Sequence, residues 1–405
     1  MDILMVSAEL SPYARGGEVG DVVAGLSKAL RQLGHRVTLA LPRHPGFEAG
    51  GLLMARRLTP LSIGGTDLTV LDGQLASGVE LVLFDDPPLY DRPHVFGEGD
   101  GYPDNLARFA VLCRGAAALA QQRAEQGKPF EILHAFDAPT AATPALLRAT
   151  TKLTLGSVLT VLDTQNVGRF ASGAHTAFPG LPGMTGDGVS LLELGLAHAQ
   201  LIVAGSQDAA RDLGSPHVSG ALAASLTGER AATSVGSGLD YSIYNPATDT
   251  AIPARFDAED ASNKGRCKGT VLTELQLEFE LDRPLLFAQA GSEPEAQVLL
   301  AALPGLLKND IAVVASATGA AAAELDRLAS DYPSDLARLK DSSDAARRRV
   351  LSAADFALCL DASALTPGAV QAAQRYGAVP IALAQGAALD ALVDCDAELE
   401  TGSGF

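Results

Sequence analysis

The stretch that decides the fold runs from Ile3 to Leu41. It opens on the apolar run Ile3-Leu4-Met5-Val6 and passes through a Pro/Gly-rich turn, Glu9-Leu10-Ser11-Pro12-Tyr13-Ala14-Arg15-Gly16-Gly17-Glu18. Val19, Val22, Val23, Leu26, Ala29, Leu30 and Leu33 then fall at helical spacing, Gly34 can stop the helix, and Val37 to Leu41 is a second apolar run. An apolar run of four to six residues bounded by turn residues fits a buried strand, and a 3.6-residue period fits an amphipathic helix. The order strand, loop, helix, strand is that of a parallel sheet with crossover helices.

Working outward, the same alternation continues. Leu81–Phe84, Ile132–His134, Val158–Leu162 and Leu201–Ala204 read as buried strands, with helices over Asn105–Ala120 and Thr140–Arg148. Residues Phe170 to Ser190, rich in Gly, Pro and Thr, read as an irregular loop, and the polar stretch Asn245–Gly269 reads as a linker. After it the rhythm restarts: strands Leu285–Ala288, Ile311–Ala315, Phe356–Leu360 and Val379–Leu383, helices Glu295–Leu307, Ala320–Leu328 and Ala369–Arg375. The expectation is two doubly wound α/β domains, residues 1–250 and 251–405, facing a cleft, with ligands at the carboxyl ends of the strands.

Composition bounds the function. With 405 residues the chain exceeds the usual size of one core, which agrees with two domains. A net charge of -18 opposes binding to phosphate backbones and anionic membranes, so neither nucleic acid nor membrane is an expected partner. The densest basic run, Arg347-Arg348-Arg349, reads as the solvated end of a helix. Cys113, Cys267, Cys359 and Cys395 are far apart and form no C-x-x-C pair, so neither a zinc site nor a disulfide framework is expected. No basic n-region with a long apolar h-region opens the chain, and no apolar run suits a bilayer, so a cytoplasmic protein without metal or cofactor is expected.

Several segments carry more than pattern. Glu9 to Gly17 followed by Asp21-Val22 resembles the E-x-x-P-x-x-K-x-G-G-L-x-D-V opening of bacterial glycogen and starch synthases. Asp85 to Pro93 is similar to that family's D-x-P-x-L-Y-D-R-P. Pro103-Asp104-Asn105 with Arg108-Phe109 matches its P-D-N-x-x-R-F. His134-Ala135-Phe136-Asp137 matches the start of H-A-H-D-W-H-T, Gly238 to Pro246 resembles N-G-I-D-Y-x-x-W-N-P, and Arg375 to Pro380 matches R-Y-G-T-V-P. The matches are collinear along nearly the whole chain. The resemblance implies a GT-B glycosyltransferase fold, two Rossmann-like domains, and in active members transfer of glucose from ADP-glucose to an α-glucan with retention. It also implies helices beyond Thr401 to Phe405, the counterpart of G-T-G-F, so that the C-terminal cross-over helices are expected to be missing here.

The departures fall where the resemblance places the chemistry. Expelling a nucleoside diphosphate builds negative charge, which cations and backbone N–H groups stabilise. The family's S-R-L-x-x-Q-K-G aligns without gaps on Ala290 to Gln297, which puts Gly291 at the Arg and Ala296 at the Lys. Arg15 keeps the charge of the Lys in the first loop, but Glu18 replaces a glycine. Pro139 stands at the sugar-side His, Ala138 at the Trp, and Ala364 at the Glu of F-E-P-C-G-L-T-Q. Asp163 replaces an Asn, Glu193 a Lys, and Gln385-Gly386-Ala387-Ala388 the phosphate-cradling T-G-G-L. One lost donor of this kind costs about 3 kcal/mol of barrier, so no intact catalytic set is expected. Arg15, Gly17, Asp21, Asp137 and Gly386 are left as possible ligand contacts. Each also has a structural reading: Arg15 an exposed pair with Glu18, Asp21 a first-turn carboxylate on its helix dipole, Asp137 a cap of the next helix. His134 reads as a satisfied core histidine. Asp240, Tyr241, Asn245 and Pro246 read as the fixing points of an interdomain turn.

The leading expectation is therefore a pseudo-glycosyltransferase that acts as a structural, regulatory or interaction subunit, with a protein partner or an active paralogue. The alternatives are a transferase with a remodelled donor site and an α-glucan-binding protein.

Overall fold

A computed structural model describes residues 1–99, 101–151, 153–170, 174–179, 181, 189–360, 365–398 and 400–405. The chain divides into two compact units, Met1–Val235 and Gly236–Phe405.

The first unit contains β1 (Asp2–Val6), β2 (Arg36–Pro42), β3 (Met54–Arg56), β4 (Leu61–Ile63), β5 (Thr66–Gln74), β6 (Glu80–Asp85), β7 (Ile132–Phe136), β8 (Gly156–Val161), β9 (Arg169–Phe170), β10 (Val189–Ser190), β11 (Leu201–Ala204) and β12 (Thr233–Ser234). The main sheet runs β12-β11-β8-β7-β1-β2-β6-β5-β3, with β4 on β5. It is parallel from β12 to β6. Leu4, Met5 and Val6 are fully buried, which is why β1 reads as an unbroken apolar run: helices cover both faces of a parallel sheet. Helix Val19–Gln32 follows the Gly-rich loop and returns the chain to β2; it starts at the first residue of the periodic set and ends one residue before Leu33, the last.

One part of this unit went unread in the sequence. β3, β4 and β5 form an antiparallel extension on β6. Their residues alternate between buried and exposed, as Leu61, Ser62 and Ile63 do, so they carry no continuous apolar run to mark them.

The second unit contains β13 (Leu285–Gln289), β14 (Ala312–Ser316), β15 (Leu336–Arg338), β16 (Phe356–Cys359) and β17 (Val379–Ala382) in the order β15-β14-β13-β16-β17. All neighbours are parallel. Successive strand residues point to opposite faces. Leu285, Phe287 and Val314 join one buried cluster, and Leu286, Ala288, Val313 and Ala315 join another, so the sheet is doubly wound.

Two expectations are corrected. Asn245–Gly269 is not a free linker. Asp249 is buried, accepts from the Tyr376 hydroxyl at 2.5 Å and pairs with Arg348 at 2.8 Å. The stretch ends inside helix Lys264–Glu274, which buries Cys267, Val271 and Leu272. The Arg347-Arg348-Arg349 run does reach the last turn of a helix, as read, but it is not simply solvated. It lies within helix Asp344–Leu351, where Arg348 holds Asp249 and Arg349 holds Glu274 at 2.9 Å. Polarity misled in both places because Asp249, Arg348 and Arg349 find partners distant in sequence, although Arg347 pairs locally with Asp344. Of the loop 170–190, residues 171–173, 180 and 182–188 lie outside the described residues. No helix among the described residues is long and apolar enough to cross a membrane.

Candidate functional site

The carboxyl ends of β1, β7 and β8, three adjacent parallel strands, converge on one small cavity in the first unit. Ser7, Ala8 and Glu9 follow β1, Asp137 and Pro139 follow β7, and Asp163 and Asn166 follow β8; Val19, Phe96 and Phe136 complete the wall. The cavity measures about 40 Å³. A water needs about 10–15 Å³ on this measure, so the space suits a few waters or a small head group.

Asp137 is the most constrained residue here. It is 6% exposed and sits at φ 52°, a left-handed conformation that non-glycine residues seldom take. The sequence reading made it a helix cap, and the structure corrects this. Its Oδ1 accepts instead from the N–H groups of Leu162 at 2.7 Å and Asp163 at 3.1 Å, joining the ends of β7 and β8. Its Oδ2 is buried with no hydrogen-bond partner among the described residues. Burial pushes the carboxyl up to about 8, against the two N–H donors and with help from the Asp163 and Glu9 charges.

Glu9 is the residue that sequence reasoning missed as a site member, although it opens the first motif. Its carboxylate accepts from Gly16 N–H at 2.7 Å and Gly17 N–H at 2.5 Å. Burial raises its pKa, opposed by those amides. Gly16 is also sterically required: a Cβ there would lie 2.6 Å from the Phe96 ring. The Gly16 and Gly17 amides are thus turned onto an internal carboxylate.

Arg15 pairs with Asp21 at 2.9 Å and donates to Ser11 Oγ at 3.1 Å. This differs from the Glu18 pairing read from the sequence. Arg15 and Asp21 are both about half exposed, so the pair contributes little stability. Asp21 lies in the first turn of its helix. Glu18 sits at the N-cap position without a capping bond from its side chain. Pro139 is buried, and its carbonyl accepts from Cys113 Sγ at 3.4 Å. His134 is satisfied by Thr160 Oγ1 at 2.7 Å and stacks on Phe136, and burial pushes its imidazole down to about 4. Asp163 Oδ1 accepts from Gln165 and Asn166 N–H, shaping the turn after β8. Glu193 is paired with Arg169 at 2.7 Å.

In the second unit the turn after β13 leads into helix Glu293–Leu306. Glu295 reaches back over this helix start: its carboxylate accepts from Gly291 N–H at 2.7 Å and from Ser292 Oγ at 2.5 Å, part of a capping-box arrangement. Ala296 is 3% exposed and packs with Leu299 and Leu303 in the core. At this position, expected from the ungapped alignment to stand for the Lys, the chain offers a buried methyl group and no charge. No Lys or Arg occurs anywhere from Pro284 to Leu307, so no neighbouring register supplies one either. Gly386 opens the short helix Gly386–Ala391 at φ 60°. Ala364 lies outside the described residues. Tyr241 and Asn245 are tied to Arg375, by ring stacking at 4.6 Å and a hydrogen bond at 3.1 Å. Asp240 Oδ1 accepts from Ser242 N–H. Among the described residues no group of three His, Cys, Asp or Glu is placed to hold a metal ion.

Residues 2–228 match the model of the starch synthase catalytic domain family. The chain is 30% identical to a glycogen synthase of Bordetella bronchiseptica across 99% of its own length and 84% of that protein. The chain belongs to the glycogen and starch synthase family. A glycogen synthase of Paramagnetospirillum magneticum is 31% identical, over 97% of this chain and 84% of the relative. Among solved structures, the catalytic domain of starch synthase IV from Arabidopsis thaliana, bound to ADP and acarbose, superposes with a TM-score of 0.79 at 21% identity, covering 98% of this chain and 85% of that one. An α,α-trehalose-phosphate synthase from Burkholderia xenovorans gives 0.56 at 12% identity, over 96% and 87%. The fold is that of the GT-B glycosyltransferases, as the motifs implied, and this member of the glycogen and starch synthase family shares their pair of parallel-sheet units.

Proposed function

We propose that this glycogen synthase relative has lost glucosyl transfer from a sugar nucleotide and serves as a structural, regulatory or protein-interaction subunit, pairing with a protein partner such as an active paralogue. The observation that carries the proposal is the start of helix Glu293–Leu306. A helix N-terminus offers N–H groups and positive potential to an anion. Here Glu295 takes the Gly291 N–H, Glu293 adds a second negative charge in the same turn, and no Lys or Arg lies within the strand, loop or helix. A diphosphate would meet like charge and occupied donors. The Glu9 bonds to Gly16 and Gly17 do not enter this argument, since Glu9 belongs to the family's own opening motif.

The deciding experiment is calorimetric titration with ADP-glucose at low salt, run beside an assay of labelled glucose incorporation into glycogen. The proposal expects neither saturable heat nor incorporation. Millimolar or tighter binding with measurable transfer would replace it with the remodelled-donor-site reading. Retention on insoluble glycogen without transfer would replace it with a glycan-binding role.

A further inference from the structure

The main sheet of the first unit ends on β3, and no strand among the described residues pairs with its outer side. Arg57 N–H donates to Val70 O at 2.9 Å, which fixes the phase of the antiparallel pairing with β5. Bonded and unbonded pairs alternate in such a ladder. Ala55, opposite Asp72, therefore turns its polar groups inward, and Met54 and Arg56 turn their N–H and C=O groups outward. Leu53 and Leu58 flank the strand and are the most exposed large apolar side chains among the described residues, at 90% and 103%. An open edge with apolar side chains beside it is a template for a further strand. The local charge is the reverse of the chain's. No Asp or Glu occurs from Ala49 to Thr66, whereas Arg56 and Arg57 do. Arg57 is paired with Asp72 at 2.7 Å. Arg56 is exposed and, among the described residues, meets only the Thr69 hydroxyl, at 3.3 Å.

We propose that the β3 edge is a docking site for an extended acidic segment of a protein partner, which joins the sheet as one more strand. Main-chain bonds to Met54 and Arg56 supply the pairing, and alternate side chains supply the selection. A carboxylate beside Arg56 meets a guanidinium that has no counter-charge, and an apolar neighbour covers Leu53 or Leu58. A second copy of this chain fits less well. Two β3 strands paired about a two-fold axis at Ala55 would set their Arg56 side chains diagonally across the ladder, where like charges repel. The net charge of -18 does not bar an acidic segment, because charges more than about 8 Å away are largely screened at physiological salt. The edge gives the protein-interaction role proposed above a partner of stated chemistry, and in that respect it rests on that reading.

The test is titration of the full chain with a labelled, end-capped peptide, Ser-Val-Glu-Val-Glu-Val-Ser, followed by fluorescence anisotropy and by amide hydrogen exchange. Saturation is expected below about 1 mM. On binding, the Met54 and Arg56 amides should gain protection while those of Ala55 and Arg57, already bonded to β5, change little. Arg56→Glu is expected to bind at least about tenfold more weakly. The same loss is expected for the peptide N-methylated at alternate residues, which keeps its charge and loses its edge bonds. Met54→Pro removes one outward N–H without touching the bonds to β5; it should weaken binding at least about threefold and takes over should Arg56→Glu fail a circular-dichroism check of folding. No saturation, unchanged affinity of the folded variants, or equal binding of the N-methylated peptide would overturn the proposal. So would a peptide-free dimer in sedimentation that Arg56→Glu dissociates, which would make a second copy the occupant. Glucose incorporation into glycogen would end the proposed subunit role without changing peptide affinity, and lost peptide affinity would leave that role standing without this partner, so the two failures are told apart.

Discussion

Asp137 in the first unit and Asp249 in the second are almost equally buried, at 6% and 8% exposure. Asp249 accepts from the Tyr376 hydroxyl, from Ala251 N–H and from the Arg348 guanidinium. Burial pushes its carboxyl up, but those donors prevail and its pKa falls below the usual value. Asp137 has two amide donors on one oxygen and none on the other, so burial prevails and the carboxyl rises to about 8. The same residue type at similar solvent exposure is a pin in one unit and a protonated carboxyl in the other. Exposure alone does not set the charge state: Asp249 is less deeply packed and has donors on both oxygens, a guanidinium among them, whereas Asp137 lies in denser surroundings with donors on one oxygen.

The largest effect expected from breaking this contrast is at the pin. Asp249→Ala leaves Arg348 and Tyr376 without their shared acceptor, and removing one partner of a buried ion pair costs about 3–5 kcal/mol. Urea unfolding should register that loss; a change near zero would show that Asp249 is not the anchor. Tyr376→Phe removes only the hydroxyl donor to a charged group and should cost about 1.5–3 kcal/mol in the same measurement.

Asp137→Asn should act oppositely, leaving stability near neutral pH unchanged or raised. The sign follows from linkage. The folded-state pKa of about 8 lies above the ordinary value of 3.8, so the folded chain holds a proton that the unfolded chain releases. The contribution is fully present below about pH 4 and is lost as pH rises towards and through about 8. Subtracting the variant's melting profile from the wild-type profile should expose that loss. Burial pulls His44 and His134 down to about 4. They contribute stability above about pH 6.5 that is lost as pH falls towards 4. They are common to both proteins and cancel in the difference. A difference profile flat from pH 4 to 8 would mean that Asp137 is ionised throughout.

The smallest effect on stability is expected from rebuilding charge at the second helix start. Gly291 has no positive φ and a Cβ there would touch only Glu295 Oε2, at 3.6 Å, so Gly291→Arg with Glu295→Gln should change stability by about 0.5 kcal/mol or less. It should add weak, salt-sensitive ADP binding to a chain expected to show none. If the double variant binds ADP no better than the wild type, the absent cation is not what limits the site.

Much of the architecture was legible because the strands of a parallel sheet are covered on both faces and read as apolar runs: β1, β7 and β11 stand within two residues of where the sequence put them. The half-exposed strands β3, β4 and β5 lacked that signal. At the site, the motif order led to the family, and the acidic replacements at Glu18, Asp163 and Glu193 were plain. The pairing was not. Arg15 was assigned to Glu18 three residues on, whereas Asp21 lies one helical turn away, within reach of its guanidinium. Asp137 was given to the helix beside it, whereas the amides it accepts from lie 25 and 26 residues further along.

The sequence by itself determined the alternation of strand and helix, the family, and the lack of any Lys or Arg from Pro284 to Leu307, because periodicity, motif order and composition are local properties of the chain. Only the tertiary structure decided that Ala296 faces the core, that Asp249 is satisfied by a hydroxyl 127 residues away, and that Asp137 Oδ2 meets no donor among the described residues. Hydrogen-bond partners and dehydration are set by what folding brings within about 3 Å, and no spacing along the chain encodes that distance.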